Sequence, residues 1–330
     1  MALRVLNTKY FQWLYELQKS WVVGLHFRQT TADDYDEVVS IRKHLYGGLD
    51  YIPSEYHDLL KHNTGIAGYI GNTMISFMFA AVIDDGQSVL MQSARVREEY
   101  VGRGILSQKK KYCFNILARS AERSVYCTTN SSVLGRLQKK GALVVFQRNV
   151  AIFKTTNHTL KRTALASDVQ LTPLDIVDAK LLEKIFLSRH AKHNLFPEKR
   201  IVVKCVPYQL VVSNIDRIFN SNAKLFASVT KDEDQKCFNA PLLISATTSM
   251  PCEAGTVIYL DFYGEIYDKE LVTAHISKQM SEYLNTGDER LVLYVTYGKE
   301  HHIGTVQRLL SMYSWELTDS EINFGIEETI

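Results

Sequence analysis

The sequence has few cysteines, little excess charge and no long apolar run, and each shortage excludes a class of protein. Its five cysteines are odd in number and widely spaced, with no CxxC pair, so neither a disulfide framework nor a cysteine zinc motif is predicted. A net charge of +2 argues against a nucleic-acid partner, because duplex affinity comes largely from basic residues that neutralise phosphates. No apolar run approaches the roughly 18 residues of a membrane-spanning helix. We therefore expect a cytoplasmic protein with reduced thiols and no transmembrane segment.

A chain of 330 residues with 46% hydrophobic residues is long enough to bury two domain cores. Aromatic residues at helical spacing, interrupted by charges, predict an amphipathic helical extension over 1–24. Alternating strand-like and helix-like patterns predict a first domain over 25–155. The polar and basic stretch 156–170 predicts a linker, and 171–330 predicts a second mixed domain. The expected fold class is therefore α/β (α+β).

Periodicity and turn signals place the elements of both domains. In the first domain they predict strands at 25–28, 66–70, 74–83, 88–96, 124–128, 142–146 and 150–153, and helices at 31–45, 53–60, 105–119 and 132–139. In the second they predict helices at 173–187, 269–284 and 302–312, and strands at 256–262, 290–297 and 322–327. The second domain echoes the strand–helix order of the first, which suggests an internal duplication.

The segment 90–108 carries the most informative motif. A strand ends at Arg95 and Val96, and a glycine turn then opens a helix with the residues Val101, Gly102, Arg103, Gly104, Ile105 and Leu106. Glycines let backbone N–H groups approach a ligand, and a helix N-terminus favours an anion, so the pattern suits a diphosphate. A P-loop is excluded because no Gly-Lys-Ser/Thr follows. A Rossmann fingerprint fits poorly, since Ser107 stands at its third glycine.

The order of elements around this turn resembles the GNAT acetyltransferases. Antiparallel strands come first, the glycine turn and helix follow, and then a strand ends at Asn130. The resemblance implies a GNAT fold for 25–155 with acetyl-CoA as co-substrate. It also implies that the turn residues, Arg95, Val96 and Asn130 hold that co-substrate. A plain glycine turn in another α/β domain is the alternative.

A second resemblance is narrower. The segment 46–57, YGGLDYIPSEYH, is similar to the YGGLDYLP segment of the histidine N-acetyltransferases, and parts of 195–214 are similar to their C-terminal domain. It implies acetyl transfer to the α-amine of a small free amino acid such as histidine. It further implies a GNAT-like C-terminal domain that completes the acceptor site. The residues expected to face that small amine are Tyr46, Asp50, Tyr51 and Tyr56.

Two positions depart from the chemistry of the GNAT enzymes. Gln92 stands where these enzymes commonly place a Glu as general base, and an amide does not take that proton at neutral pH. Leu137 stands at the position of the Tyr that protonates the leaving thiolate. Asp84, Asp85, Glu98 and Tyr126 are candidate substitutes for the base. The alternative to an enzyme is a catalytically impaired relative that binds acyl-CoA or an amino acid.

No metal cofactor is expected. His190 and His193 lie three residues apart and His301 and His302 are adjacent, but no carboxylate completes a metal-ligand set near them. The expected partners are therefore acetyl-CoA and a small amine.

Overall fold

The computed structural model describes residues 24–117, 120–156, 158–159, 172–228, 240–281, 283, 290–298 and 303–329. The helical extension predicted over 1–24 lies outside the described residues except for Gly24. Most of the linker predicted over 156–170 also lies outside them.

Within these ranges the chain forms fourteen strands and nine α-helices. The strands are β1 (Leu25–Gln29), β2 (Thr64–Ile70), β3 (Thr73–Ile83), β4 (Ser88–Val96), β5 (Arg123–Thr128), β6 (Leu143–Thr156), β7 (Leu174–Ile176), β8 (Arg200–Val203), β9 (Val206–Gln209), β10 (Lys224–Ser228), β11 (Leu243–Cys252), β12 (Gly255–Gly264), β13 (Arg290–Gly298) and β14 (Glu316–Thr329). The helices are α1 (Tyr35–Ser40), α2 (Ile52–Leu60), α3 (Ile105–Leu117), α4 (Ser131–Gln138), α5 (Ala179–Leu187), α6 (Arg189–Leu195), α7 (Ile215–Asn220), α8 (Lys269–Ser281) and α9 (Ile303–Met312).

Twelve strands form one continuous sheet in the order β1-β2-β3-β4-β5-β14-β6-β13-β12-β11-β10-β7. Five strands of the first half are followed by β14, the last strand of the second half. From the other end, five strands of the second half are followed by β6, the last sheet strand of the first half. Each half therefore gives its last strand to the other, and the repeated order agrees with the duplication suggested by the sequence.

The sheet has two packed faces, which alternate along each strand. On β4, Val89 and Met91 pack with Cys113 of α3 on one face. Leu90 points to the other face, where it belongs to a core that contains Tyr208 of β9. That second face is covered by α1, α2, α5, α6, α7 and the β8–β9 hairpin, so elements of both halves meet there.

Local sequence signals explain several boundaries. Asp84, Asp85 and Gly86 all have positive φ and form the tight β3–β4 turn. Pro53 lies in the first turn of α2, where its missing N–H costs no helical bond. Asn130 caps α4 by accepting bonds from two backbone N–H groups.

The prediction of two short strands at 142–146 and 150–153 was wrong, because β6 is one strand from Leu143 to Thr156. The polar residues that interrupt its pattern lie at the centre of the sheet with polar partners. Arg148 donates to the carbonyls of Phe262 and Thr296, and its guanidinium lies 4.4 Å from the ring centroid of Tyr263.

Three other boundaries also differ from the sequence prediction. The helix expected over 173–187 begins only at Ala179, because Leu174–Ile176 pairs with β10 as a strand. The strand expected over 322–327 extends over Glu316–Thr329, because β6 pairs with nearly its whole length. The first helix ends at Ser40, and left-handed His44 and Tyr46 prevent its continuation to residue 45.

Candidate active site

Strands β4 and β5 diverge after a short stretch of pairing. They pair in parallel only between Ser88–Leu90 and Arg123–Val125, although β4 continues to Val96 and β5 to Thr128. The divergence begins beside a β-bulge on β4, where Ser93 and Ala94 together lie opposite Met78. Ser93 has a φ of 57°, which is unusual for a residue other than glycine. The opening between the strands leaves backbone groups that a ligand can pair with.

The glycine turn follows at the end of β4. Gly102 and Gly104 have φ values of 83° and 73°, a conformation that glycine adopts without steric cost. A Cβ built on Gly102 meets no atom within 4 Å, so the turn is open. Ile105 is buried under the first turn of α3, whereas Val101 and Leu106 are exposed on either side of it. The first N–H groups of α3 have no acceptor within the helix and can bind an anion.

The loop between α1 and α2 docks on the β11–β12 hairpin of the second half. The carbonyl of Gly48 accepts a bond of 3.1 Å from the N–H of Ala254. His44 lies 2.7 Å from Glu253 at the same place. Gly48 has a φ of 89° and its Cβ position is 3.4 Å from the nitrogen of Ala254, so glycine suits this contact. Tyr46 in this loop is 63% exposed.

Asp50 and Arg95, both expected to touch ligands, bind each other. Both oxygens of Asp50 accept bonds from the guanidinium of Arg95, at 2.9 and 3.1 Å. The Arg95 side chain is fully buried, and a buried guanidinium requires such a partner. The pair therefore fixes the loop against β4. Val96 ends the strand opposite Ser76.

Of the two other tyrosines expected to face the acceptor, only Tyr51 lies beside the opening between β4 and β5. Its hydroxyl is 2.5 Å from the Oγ of Ser93, so it contacts the β4 bulge. Tyr56 is fully buried in the core between α2 and β3, and its hydroxyl donates to the carbonyl of Thr31. The expectation for Tyr56 was wrong, because its side chain packs inward against Phe77 and Phe79.

A cavity of about 350 Å³ lies beside the opening and is lined by both halves. Its volume is in the range of small-molecule sites. The first half contributes α2 and β4, and the second half contributes the β8–β9 hairpin and α7. Its polar lining includes Tyr51, Glu55, Gln92, Lys204, Tyr208 and Arg217.

Gln92 lines this cavity, as the base position requires, but the four proposed substitutes lie elsewhere. Asp84 is buried and accepts bonds from Gln209 and Asn214. Asp85 and Glu98 are exposed and do not line the cavity. Tyr126 packs with Met91 on the α3 face, opposite Gln92, because side chains alternate along a strand. Burial raises the pKa of Tyr126, and Glu328 raises it further.

Helix α4, which follows β5, is capped by Asn130 and has no proton donor at Leu137. Asn130 Oδ1 accepts bonds of 3.0 and 3.1 Å from the N–H groups of Ser132 and Val133. This cap fixes the start of α4 next to the end of β5. Leu137 is half-buried on α4 and has no proton to donate.

The second half lacks a matching opening in the residues described. Strands β12 and β13 pair over six residues, Thr256–Asp261 with Leu291–Thr296, and β11 pairs with β12 without a register shift. Asp261 accepts a bond from Thr296 across this pairing, and its burial raises its pKa to about 6. The second half is therefore closed where the first half is open.

Sequence reasoning missed an ion pair in the cavity wall. Lys204 Nζ donates to Glu55 Oε2 at 2.8 Å, and Nζ also lies 5.7 Å from the ring centroid of Tyr51. The two residues are 149 positions apart and belong to different halves. No local pattern signals such a contact.

In the described ranges, no group of three or more His, Cys, Asp or Glu side chains is placed to hold a metal ion. His190, which the sequence analysis did not assign to a metal site, lies 3.0 Å from Asn194. No helix of the described part is long and apolar enough to cross a membrane.

Known proteins match this chain in sequence. A family model described as "Histidine N-acetyltransferase, C-terminal" matches residues 170–297. A histidine N-acetyltransferase of Oreochromis niloticus is 24% identical, with 58% of this chain and 61% of that protein covered. One of Xenopus tropicalis is 25% identical, with 56% and 59% covered. The chain thus spans about three fifths of the length of the curated relatives that it matches.

Solved structures match the fold. A tandem GNAT protein from the clavulanic acid biosynthesis pathway has a TM-score of 0.53 at 11% identity, with 92% of this chain and 98% of that chain covered. N-myristoyltransferase of Saccharomyces cerevisiae, with bound myristoyl-CoA, has a TM-score of 0.50 at 8% identity, with 93% and 79% covered. Together with the sequence matches, these likenesses confirm the fold expected from the glycine turn. The chain has the GNAT fold, and its sequence is similar to those of the histidine N-acetyltransferases.

Proposed function

We propose that this chain is an N-acetyltransferase that transfers acetyl from acetyl-CoA to the α-amine of a free amino acid such as histidine. The observation that carries the proposal is the opening between β4 and β5, with the glycine turn after β4 and the cavity at Gln92 beside it. The names of the sequence relatives support the same activity.

The residues at the opening fit acetyl-CoA. The glycine turn has open space at Gly102, and the N-terminus of α3 offers unpaired N–H groups to a diphosphate. The diverging strands offer backbone groups to a polar, amide-bearing chain. When bound, acetyl-CoA supplies a thioester whose thiol leaving group, with a reference pKa of about 8.5, needs little acid help. This explains how Leu137 is tolerated at the acid position.

In this proposal the cavity binds and orients the acceptor amine. Leu90, Val203 and Val206 form apolar walls that exclude water, and Tyr51 and Gln92 offer hydrogen bonds. The amide of Gln92 positions the amine without accepting its proton. Position 92 therefore supplies none of the factor of about 10² to 10⁴ in rate that a general base typically contributes. Positioning then supplies the main part of the acceleration.

Besides the roles of the site residues, two predictions from the sequence stay predictions. One is the division into domains at 25–155 and 171–330, since the two halves share one sheet. The other is the cytoplasmic location.

The test is a screen of the free amino acids with acetyl-CoA and the full chain, in which thiol release and the mass of the product are measured together. The proposal predicts release of one thiol per N-acetylated amino acid formed, with histidine among the acceptors. Thiol release without any N-acetylated product, or no release with any acceptor, would contradict it.

A further inference from the structure

The turn of the β8–β9 hairpin has a backbone conformation that its two residues adopt only at a cost in conformational energy. Val203 pairs with Val206, so Lys204 and Cys205 form a two-residue turn. Their φ values are 53° and 60°. Such turns favour Asn-Gly because both central residues are left-handed, and neither residue here is Asn or Gly. The hairpin thus adopts a disfavoured conformation at the point where it reaches the cavity.

The hairpin is also held firmly at its base. Arg200 forms an ion pair with Glu327 of β14. The N–H of Val202 donates to the hydroxyl of Tyr263 at 2.7 Å. The position of Lys204 is therefore fixed by the fold of the second half rather than by the flexibility of a loop.

Lys204 and Glu55 form a largely buried pair of opposite charges in the cavity wall. Their side chains are 11% and 21% exposed, and the pair faces the same cavity as Gln92. Lys204 binds one oxygen of Glu55, and the other oxygen accepts no hydrogen bond from the described residues. Because these charges are only slightly exposed, water screens them weakly, and their electrostatic interaction with a charged ligand is strong.

We propose that Glu55 and Lys204 determine specificity by binding the acceptor as a zwitterion, with its ammonium at Glu55 and its carboxylate at Lys204. This inference rests on the proposed function and names the residues that select its acceptor class, a free α-amino acid rather than an amine without a carboxylate. An α-amino acid carries both charges on one carbon, so it lies antiparallel to the pair and each charge meets its opposite. An amine alone competes with Lys204 for Glu55 and leaves the buried ammonium of Lys204 without a partner, which is costly.

The α7 side of the cavity is consistent with a carboxylate. The guanidinium of Arg217 donates to the carbonyl of His62 at 3.3 Å and has no carboxylate partner among the described residues. The cavity therefore has positive charge on the side of the second half.

The test compares L-histidine with histamine, which has the same imidazole and amine but no carboxylate. For the full chain with Lys204→Met, we expect kcat/KM for histidine to fall about 10- to 100-fold, the loss typical of a charged hydrogen bond. The value for histamine should not fall and should rise, because histamine then no longer competes with Lys204 for Glu55. Lys204→Arg keeps the charge and should keep most of the preference for histidine.

Lys110→Met is the matched control. It also removes a half-buried lysine that pairs with a glutamate of the other half, at 2.5 Å from Glu328, but on the α3 face. It should lower the free energy of unfolding about as much as Lys204→Met does, and it should leave the preference between histidine and histamine unchanged. The inference would be overturned if Lys204→Met lowered kcat/KM equally for histidine and histamine. It would also be overturned if Lys204→Met lowered kcat/KM for histidine no more than Lys110→Met does. Either result would show that the Glu55–Lys204 pair only joins the two halves.

Calorimetric titration with histidine and histamine, without acetyl-CoA, separates this inference from the proposed function. A preference for histidine that Lys204→Met abolishes supports the recognition pair even if no acetyl transfer is detected. Acetyl transfer to both acceptors with equal efficiency overturns the recognition pair and leaves the proposed function standing.

Discussion

At the scale of single residues, charge compensation organises the site. Arg95 is buried and is neutralised by Asp50, while Lys204 is nearly buried and is paired with Glu55. Removal of one partner from such a pair leaves an uncompensated buried charge, which typically costs 3–5 kcal/mol when the pair is fully buried. The Asp50 carboxylate is therefore part of the framework, whereas the Glu55 pair faces the cavity.

Gln92 provides a direct test of whether a general base at position 92 would speed the reaction. In Gln92→Glu the new carboxylate lies at the cavity wall and can take the proton of the acceptor ammonium, so turnover should rise by up to about 10²-fold. The gain should grow as the pH falls from 9 to 7, because less of the amine is then free without a base. The measurement is kcat/KM for histidine against pH.

Gln92→Met is the control for that change, since it keeps the length of the side chain but cannot take a proton. It should show no gain at any pH. A rate for Gln92→Glu that is unchanged or lower at every pH would place the base elsewhere.

Individual site residues were predictable only where the strand pattern determines their direction. Gln92 lines the cavity because it alternates with Met91 on β4, and this alternation can be read from the sequence. Tyr56 lies on a helix, where the motif could not say which face is buried. Lys204 approaches Glu55 through a hairpin of the other half, and no local signal carries that information.

At the scale of elements, the site depends on where two neighbouring strands stop pairing. The glycine turn and α3 were predictable because glycine spacing and helical periodicity are local signals. The bulge at Ser93 was not, since it depends on the register of β4 against β3. The same limit explains β6, whose buried Arg148 finds its hydrogen-bond acceptors on β12 and β13.

The glycine turn can be tested by side chains that fill it. Gly102→Val combined with Gly104→Val should weaken acetyl-CoA binding by at least about 10-fold, because the new Cβ atoms occupy the space that a diphosphate needs. Calorimetry measures the affinity, and thermal unfolding measures the loss of stability.

Gly86→Val is the matched control at the other end of β4. Gly86 has a φ of 87° and open space around its Cβ position, like Gly102 with 83°. The control should lose comparable stability per substitution and keep its affinity for acetyl-CoA. Unchanged affinity in the double variant, with the fold intact, would remove the anion-binding role of the turn.

At the scale of the whole molecule, two halves with a similar order of strands make different contributions to the site. They exchange their last strands, β6 and β14, within one sheet. This exchange was beyond the sequence analysis, because Phe324 pairs with Thr128, which lies 324 − 128 = 196 positions earlier in the chain. The first half has the open strands, and the second half contributes the hairpin and α7 to the cavity.

The start of α8 shows why the second half is not expected to bind a co-substrate of its own. Asp268 accepts bonds of 2.9 and 3.1 Å from the N–H groups of Glu270 and Leu271. A helix N-terminus that is already capped by a carboxylate repels a diphosphate. The neighbouring strands β12 and β13 stay paired over six residues, whereas β4 and β5 pair over three.

The measurement that tests the central claim most directly is calorimetric titration of the full chain with acetyl-CoA. One opening in the first half and a closed second half predict one molecule bound per chain. Two molecules per chain would mean that the second half also opens, and no binding at any concentration would contradict the assignment of the β4–β5 opening as a co-substrate site.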